Sequence, residues 1–152
     1  MTIDLPTYFK EVPDTTTLPD AYVANAGGLL DKVNALLASF AGDYPLFTVH
    51  VNSGFRTVEH NATVPGAAPN SKHTTGQAID IGDDRDRTLA IWCLNNVGVL
   101  AVIGLWCEDF RSTPTWCHFQ CVPPGSGNRF FIPSAAAARE LHGPLTVKSL
   151  QG

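Results

Sequence analysis

Ser71-Lys72-His73-Thr74-Thr75-Gly76-Gln77-Ala78-Ile79-Asp80 is the stretch on which the reading of the fold turns, together with His118, 38 residues further on. On a continuous helix, the seven residues from His73 to Asp80 would rise about 10.5 Å. Thr74, Thr75 and Gly76 disfavour that helix, and Gly76 offers a turn that folds the chain back. His73 then lies on the loop side and Asp80 on a short strand, Gln77 to Gly82, with Ala78 and Asp80 on one face. Ala78 is small enough to leave room beside a bound group. His118 falls in a second strand, Trp116 to Val122, whose face also carries Trp116 and Gln120, a mixed surface suited to a cleft floor. Two imidazoles and one carboxylate are the three-ligand set of a catalytic zinc, which keeps a fourth position open; structural zinc sites close all four.

Outward from this centre, Pro19 to Phe40 carries apolar residues at three- and four-residue steps and predicts a helix, with Gly27-Gly28 as a point where it splits in two. Pro45 to Val51 alternates and is β-branched, which predicts a strand. Residues 62–72 form a long loop of small and turn-forming residues. Asp86 to Asn95 predicts a helix, Val99 to Leu105 a β-rich apolar run, and Pro123-Pro124-Gly125 a sharp end to the second strand. Ser134 to His142 predicts a short helix capped by Ser134. Residues 1–20, with Pro6, Pro13 and Pro19, form an irregular arm, and residues 123–152 a tail. The fold class expected is α+β: a small antiparallel sheet with helices packed on one face and the metal cleft on the other, in one domain over residues 1–152.

The chain has 152 residues, 44% hydrophobic and 16% charged, a globular balance. A net charge of −4 with scattered basic residues argues against nucleic acid as a partner. No apolar run reaches the roughly 18 residues of a membrane span. The N-terminus, acidic and broken by Pro6, lacks the pattern of a secretory signal. The four cysteines, Cys93, Cys107, Cys117 and Cys121, are expected to be reduced core or spare thiols, with a Cys93–Cys107 pair or redox use as the alternatives. Cys117 and Cys121 on one strand would lie about 13 Å apart, too far for a shared metal or a disulfide. His50 and His60 are expected to be ordinary residues.

Ser53-Gly54-Phe55-Arg56, Asn61, Pro69 to His73, Gly76, Ala78, Asp80 and His118 resemble the zinc D-alanyl-D-alanine carboxypeptidase family. That family includes L-alanyl-D-glutamate endopeptidases of phage lysins and has the hedgehog/DD-peptidase fold. The resemblance spans residues 29–122. It implies one Zn2+ held by His73, Asp80 and His118, and Arg56 as the group that binds a substrate carboxylate or carbonyl through its planar fork. Ser71 would brace the loop at the substrate side of the metal. The implied activity is zinc-dependent hydrolysis of a peptidoglycan stem-peptide bond next to a D-amino acid. Bacterial peptidoglycan and phage virion components are the implied partners, and host cytoplasm before release, or the virion, is the expected location.

The family usually places an Asp or Glu three residues before the last histidine, as a base for the attacking water. Thr115 stands there and cannot take a proton. Three outcomes are open: Asp109 or Glu108 substitutes, with Asp109 slightly preferred; zinc alone activates the water, at a loss of about 10²–10⁴-fold; or the chain is a non-catalytic phage structural or cell-wall-binding module.

Overall fold

A computed structural model describes residues 2–152. The periodic segment after Pro19 forms one unbroken helix, Asp20–Asp43; after a short helix at Leu5–Tyr8 (α1), it is α2. Gly27 and Gly28 do not split it. A β-carbon at either would meet nothing within 4 Å, so both lie on the open side of the helix. The opposite side buries Ala26, Leu29, Leu30, Val33, Leu36, Leu37 and Phe40. Burying one large apolar side chain contributes about 1.5–3 kcal/mol, against about 1 kcal/mol lost per helical glycine.

The sheet has five strands: β1 (Val51–Ser53), β2 (Ala78–Gly82), β3 (Trp106–Glu108), β4 (Trp116–Gln120) and β5 (Phe130–Phe131). Their spatial order is β1-β2-β4-β3-β5, antiparallel throughout except for the β3–β5 pair. The α+β class is therefore as expected. Ile79 and Ile81 of β2, Cys107 of β3, and Cys117 and Phe119 of β4 point into the core with the inner face of α2. The alternate residues, among them Ala78, Asp80, Glu108, Trp116, His118 and Gln120, form the opposite face.

Two strand assignments change. Pro45 to Val49 does not join the sheet, and His50 offers it only its carbonyl, which accepts from the Gly82 amide at 2.8 Å. A turn closes from the Phe47 amide to the Tyr44 carbonyl, Leu46 is almost fully exposed, and only Val51 to Ser53 pairs, at the sheet edge and across an irregularity in register. Phe47 still packs on Phe40, ring centroids 5.0 Å apart, so alternation there reflects packing without a ladder.

Val99 to Leu105 lies mostly in a helix, α5 (Val97–Ile103), which follows α4 (Thr88–Asn95). β-Branched residues weaken a helix by only a fraction of a kcal/mol each. Here Leu100 is fully buried in the core, and Val99 and Ile103 pack against it from its edge. Val102 is left outside. Lys32 of α2 donates to the Ile103 carbonyl, and Gly104, at φ 88°, turns the chain into β3.

The N-terminal arm contains α1 and a 3-10 turn at Thr15–Thr17, and buries Tyr8 and Phe9 completely. Ser134 caps the short α6 (Ala135–Glu140), accepting from the Ala137 amide. All four cysteines are free, and burial pushes the thiols of Cys93, Cys107 and Cys117 well up, which leaves them inert.

Gly54 directly follows β1 and sits against α1. A β-carbon there would run into the backbone carbonyl and ring of Tyr8. The Tyr8 carbonyl accepts from the Phe55 amide at 3.0 Å, and its hydroxyl donates to the Ala78 carbonyl at 2.8 Å. The arm therefore clamps both β1 and β2. Gly54→Ala is expected to destabilise by about 1–3 kcal/mol through overpacking. Urea unfolding should show a lower midpoint with an unchanged slope.

Candidate metal centre

The sheet register assembles the site. Ser53 pairs with Asp80, and Asp80 with His118. β3 pairs Trp106 with Gln120 and Cys107 with Phe119, which carries Glu108 opposite His118; β5 then sets Phe131 beside Glu108. One row across all five strands thus reads Ser53, Asp80, His118, Glu108, Phe131, on the face away from the core. His73 enters from above the row, on a single 3-10 turn, Lys72–Thr75. Ser71 caps this turn through its hydroxyl, which accepts from the His73 amide. Gly76 ends it in the left-handed conformation, at φ 81°, where a β-carbon would also strike the Tyr22 carbonyl of α2. Asn25 of α2 donates to the Thr75 carbonyl and pins the turn down.

His73, Asp80 and His118 offer ligand atoms that all lie within 4.8 Å of one another, and all three residues are buried. His73 Nε2 and His118 Nδ1 approach the same Asp80 oxygen, Oδ1, at 3.2 and 3.0 Å. The other Asp80 oxygen accepts from Arg56 Nη2 at 3.1 Å. Burial alone would raise the Asp80 carboxyl, but the hydrogen bond and charge of the His118 imidazole hold it well below the usual carboxylate range.

The histidines differ. His73 donates Nδ1–H to the Gly54 carbonyl at 2.8 Å, and burial depresses its pKa despite the nearby Asp80, so the ring is neutral and Nε2 carries a lone pair. That lone pair faces a carboxylate oxygen with no proton to share, an arrangement that a cation between them resolves. For His118, burial lowers the pKa, but the hydrogen bond and charge of Asp80 outweigh it and raise the value above 6.5. Each carboxylate or imidazole thus has its outer atom engaged by a protein partner and its inner atom turned to one point, as metal ligands require. The donor set, two nitrogens and one oxygen, suits zinc with an open position.

Arg56 lines the cleft, yet Nε donates to Ser53 Oγ at 2.9 Å, Nη1 to Asn61 Oδ1 at 3.3 Å, and Nη2 to Asp80. Its established contacts therefore brace the metal ligand, and the Ser53-Gly54-Phe55-Arg56 motif has a physical basis at each position. Ser53 holds the guanidinium, Gly54 holds His73 and admits Tyr8, buried Phe55 anchors the turn, and Arg56 orients Asp80.

The cleft measures about 850 Å³. One wall is the loop Val64 to Lys72, and the other comes from Pro124 to Ser126 and Phe131 to Ser134. Glu108 and Trp116 lie between them with the metal ligands. Asp109, slightly preferred as a base from sequence, is not in the cleft: its carboxylate faces Arg111, Oδ2 to Nη2 at 2.8 Å. Alternation along β3 sends neighbours to opposite sides, so only Glu108 faces His118. Thr115 is exposed and lines a separate hollow with Phe47, His50 and Asp83. His60 is exposed and pairs with Glu11. Trp106 is covered by Arg129, whose guanidinium carbon sits 4.5 Å from the ring centroid. Gln120 lies in the cleft, as strand alternation from His118 placed it, whereas Phe131 was given no role from the sequence.

The profile of the Peptidase M15 family matches residues 11–97, more than half of the chain. The chain therefore belongs to the Peptidase M15 family, whose members are zinc peptidases. No curated protein and no solved structure matches it. The matched segment holds Arg56, His73 and Asp80; His118 and Glu108 lie beyond it.

Metal uptake through His118 Nδ1 must displace the proton on that nitrogen. From pH 6.5 up to the raised pKa of His118, zinc binding is expected to release a proton and to tighten as pH rises, then to level off above that pKa. Calorimetry in buffers of different ionisation enthalpy reads the proton directly; zinc binding with no proton released in that window would mean that His118 Nδ1 already lacks a proton in the metal-free protein.

Proposed function

We propose that this protein is a zinc-dependent peptidase that cuts a peptidoglycan stem-peptide bond next to a D-amino acid. His73, Asp80 and His118 hold the zinc, and Glu108 is the general base. The observation that supports this best is the cross-strand row, in which a carboxylate stands next to His118 inside the cleft although position 115 carries none.

When bound, zinc supplies Lewis acidity to the scissile carbonyl and acidifies the attacking water. Glu108 takes a proton from that water as its oxygen bonds to the carbonyl carbon. It then returns the proton to the nitrogen as the C–N bond breaks, so that acid and amine leave together. Burial, the largest influence, raises the Glu108 pKa, opposed by the neighbouring His118 and aided by Asp80 and Asp109. A carboxylate raised toward working pH is a better proton carrier than one left at its ordinary value. Asp80, fixed by Arg56 on its outer oxygen, keeps the ligand set rigid. A negative substrate end can be met by the positive charges of Lys72 and Arg56, which both line the cleft. The loop Val64 to Lys72 and the segment Phe131 to Ser134 would flank an extended peptide on either side.

Glu108→Gln is expected to lower kcat about 10²–10⁴-fold while zinc stoichiometry stays at the wild-type value. Peptidoglycan fragments analysed by mass spectrometry report the turnover and name the bond. Thr115→Asp is expected to leave turnover unchanged, since that side chain points to a different hollow. Zinc binding with no stem-peptide products from the wild type would support the rival reading of a non-catalytic wall-binding or structural module. Activity restored by Thr115→Asp would refute Glu108 as the base.

A further inference from the structure

Gln120 belongs to the same cleft face as His118, two residues along β4, and is buried at 6% exposure. Its Oε1 lies 3.0 Å from His118 Nε2, and its Nε2 donates to the Val122 carbonyl at 2.7 Å. The second bond fixes which end of the amide faces the ring. An amide flipped over would set its oxygen against the Val122 carbonyl, two acceptors in contact, and lose that hydrogen bond. With Oε1 so fixed, His118 Nε2 must carry a proton, and Nδ1 is the nitrogen left to face Asp80 and His73. The two histidines therefore use opposite nitrogens: His73 presents Nε2 and donates Nδ1–H to Gly54, while His118 presents Nδ1 and donates Nε2–H to Gln120.

We propose that Gln120 is a positioning residue that holds His118 in the one tautomer and ring orientation presenting Nδ1 to the metal. The proposal rests on the zinc assignment above and deepens it. It differs from a packing role in what it controls. Without Oε1, the ring is free to turn about its Cβ–Cγ bond or to carry its proton on Nδ1, and in either case the ligand nitrogen is lost from the cluster for part of the time. Groups that orient a ligand histidine from its far side typically matter about 10–100-fold in metal affinity. A glutamine does this without adding a charge to a centre that already holds Asp80 and, next in the row, Glu108.

Two measurements test this on the full chain with zinc alone. The first is 15N imidazole NMR of the zinc-loaded wild type. His118 is expected to bear its proton on Nε2 with the metal on Nδ1, and His73 to show the reverse. His118 metallated through Nε2 overturns the proposal with no variant needed. The second is chelator-competition titration of Gln120→Met, which keeps the volume and removes the acceptor. Zinc affinity is expected to fall about 10–100-fold, with the metal-free melting curve close to wild type. An unchanged affinity overturns the proposal and leaves the zinc assignment standing. A wild type that takes up no zinc overturns the zinc assignment itself, and Gln120 with it.

Discussion

One carboxylate oxygen organises the centre of this molecule. Asp80 Oδ1 is approached by both imidazoles, while Oδ2 is held by Arg56. A buried carboxylate with a single partner would be strongly disfavoured by desolvation; with Arg56 on one oxygen and His118 on the other it is held ionised. Much of the nearby structure serves this arrangement. α1 clamps β1 and β2 through Tyr8, the 3-10 turn delivers His73, and Gly54 and Gly76 admit the close approaches that both need. The helices on the other face keep the sheet rigid beneath it.

The protein solves a geometric problem with strand pairing. Groups that must meet at one point are separated by dozens of residues, but in a sheet they need only share a row. Ser53, Asp80, His118, Glu108 and Phe131 come from five strands and meet because the register places them in line. A one-residue slip of any strand would turn its member of the row into the core. The apolar alternates Ile79, Ile81, Cys107, Cys117 and Phe119 resist such a slip, so the core enforces the register that the cleft uses.

Much of this was legible in the amino-acid sequence. His73, Asp80 and His118 were recognisable from the Gly76 turn, from strand alternation and from a motif that resembles a known family, and the long helix after Pro19 followed from its period. The failures have physical causes. Val99 to Leu105 is β-branched, and propensity for strand is weaker than the packing of Leu100 against the core. Pro45 to Val51 alternates because Phe47 and Val49 pack inward, not because they sit in a ladder. The place of Glu108 could not be read from distance along the chain, since it depends on β3 lying next to β4. Arg56 lines the cleft as expected of a substrate-binding group, and its bracing of Asp80 is an additional contact that composition and spacing do not contain.

β3 is short, and its outer edge is secured by the strand that follows it latest in the chain: the Cys107 amide donates to Arg129 and the Asp109 amide to Phe131. During synthesis, a chain that has emerged only as far as Gln120 already owns all three metal-cluster residues, yet the strand carrying Glu108 has one neighbour in place of two. On the proposed roles, the cluster and the base thus mature at different moments, the second only when residues 130–131 have docked. The carboxylate proposed as the base is in this way seated last, by the end of the same chain, after the strands that carry the cluster have paired.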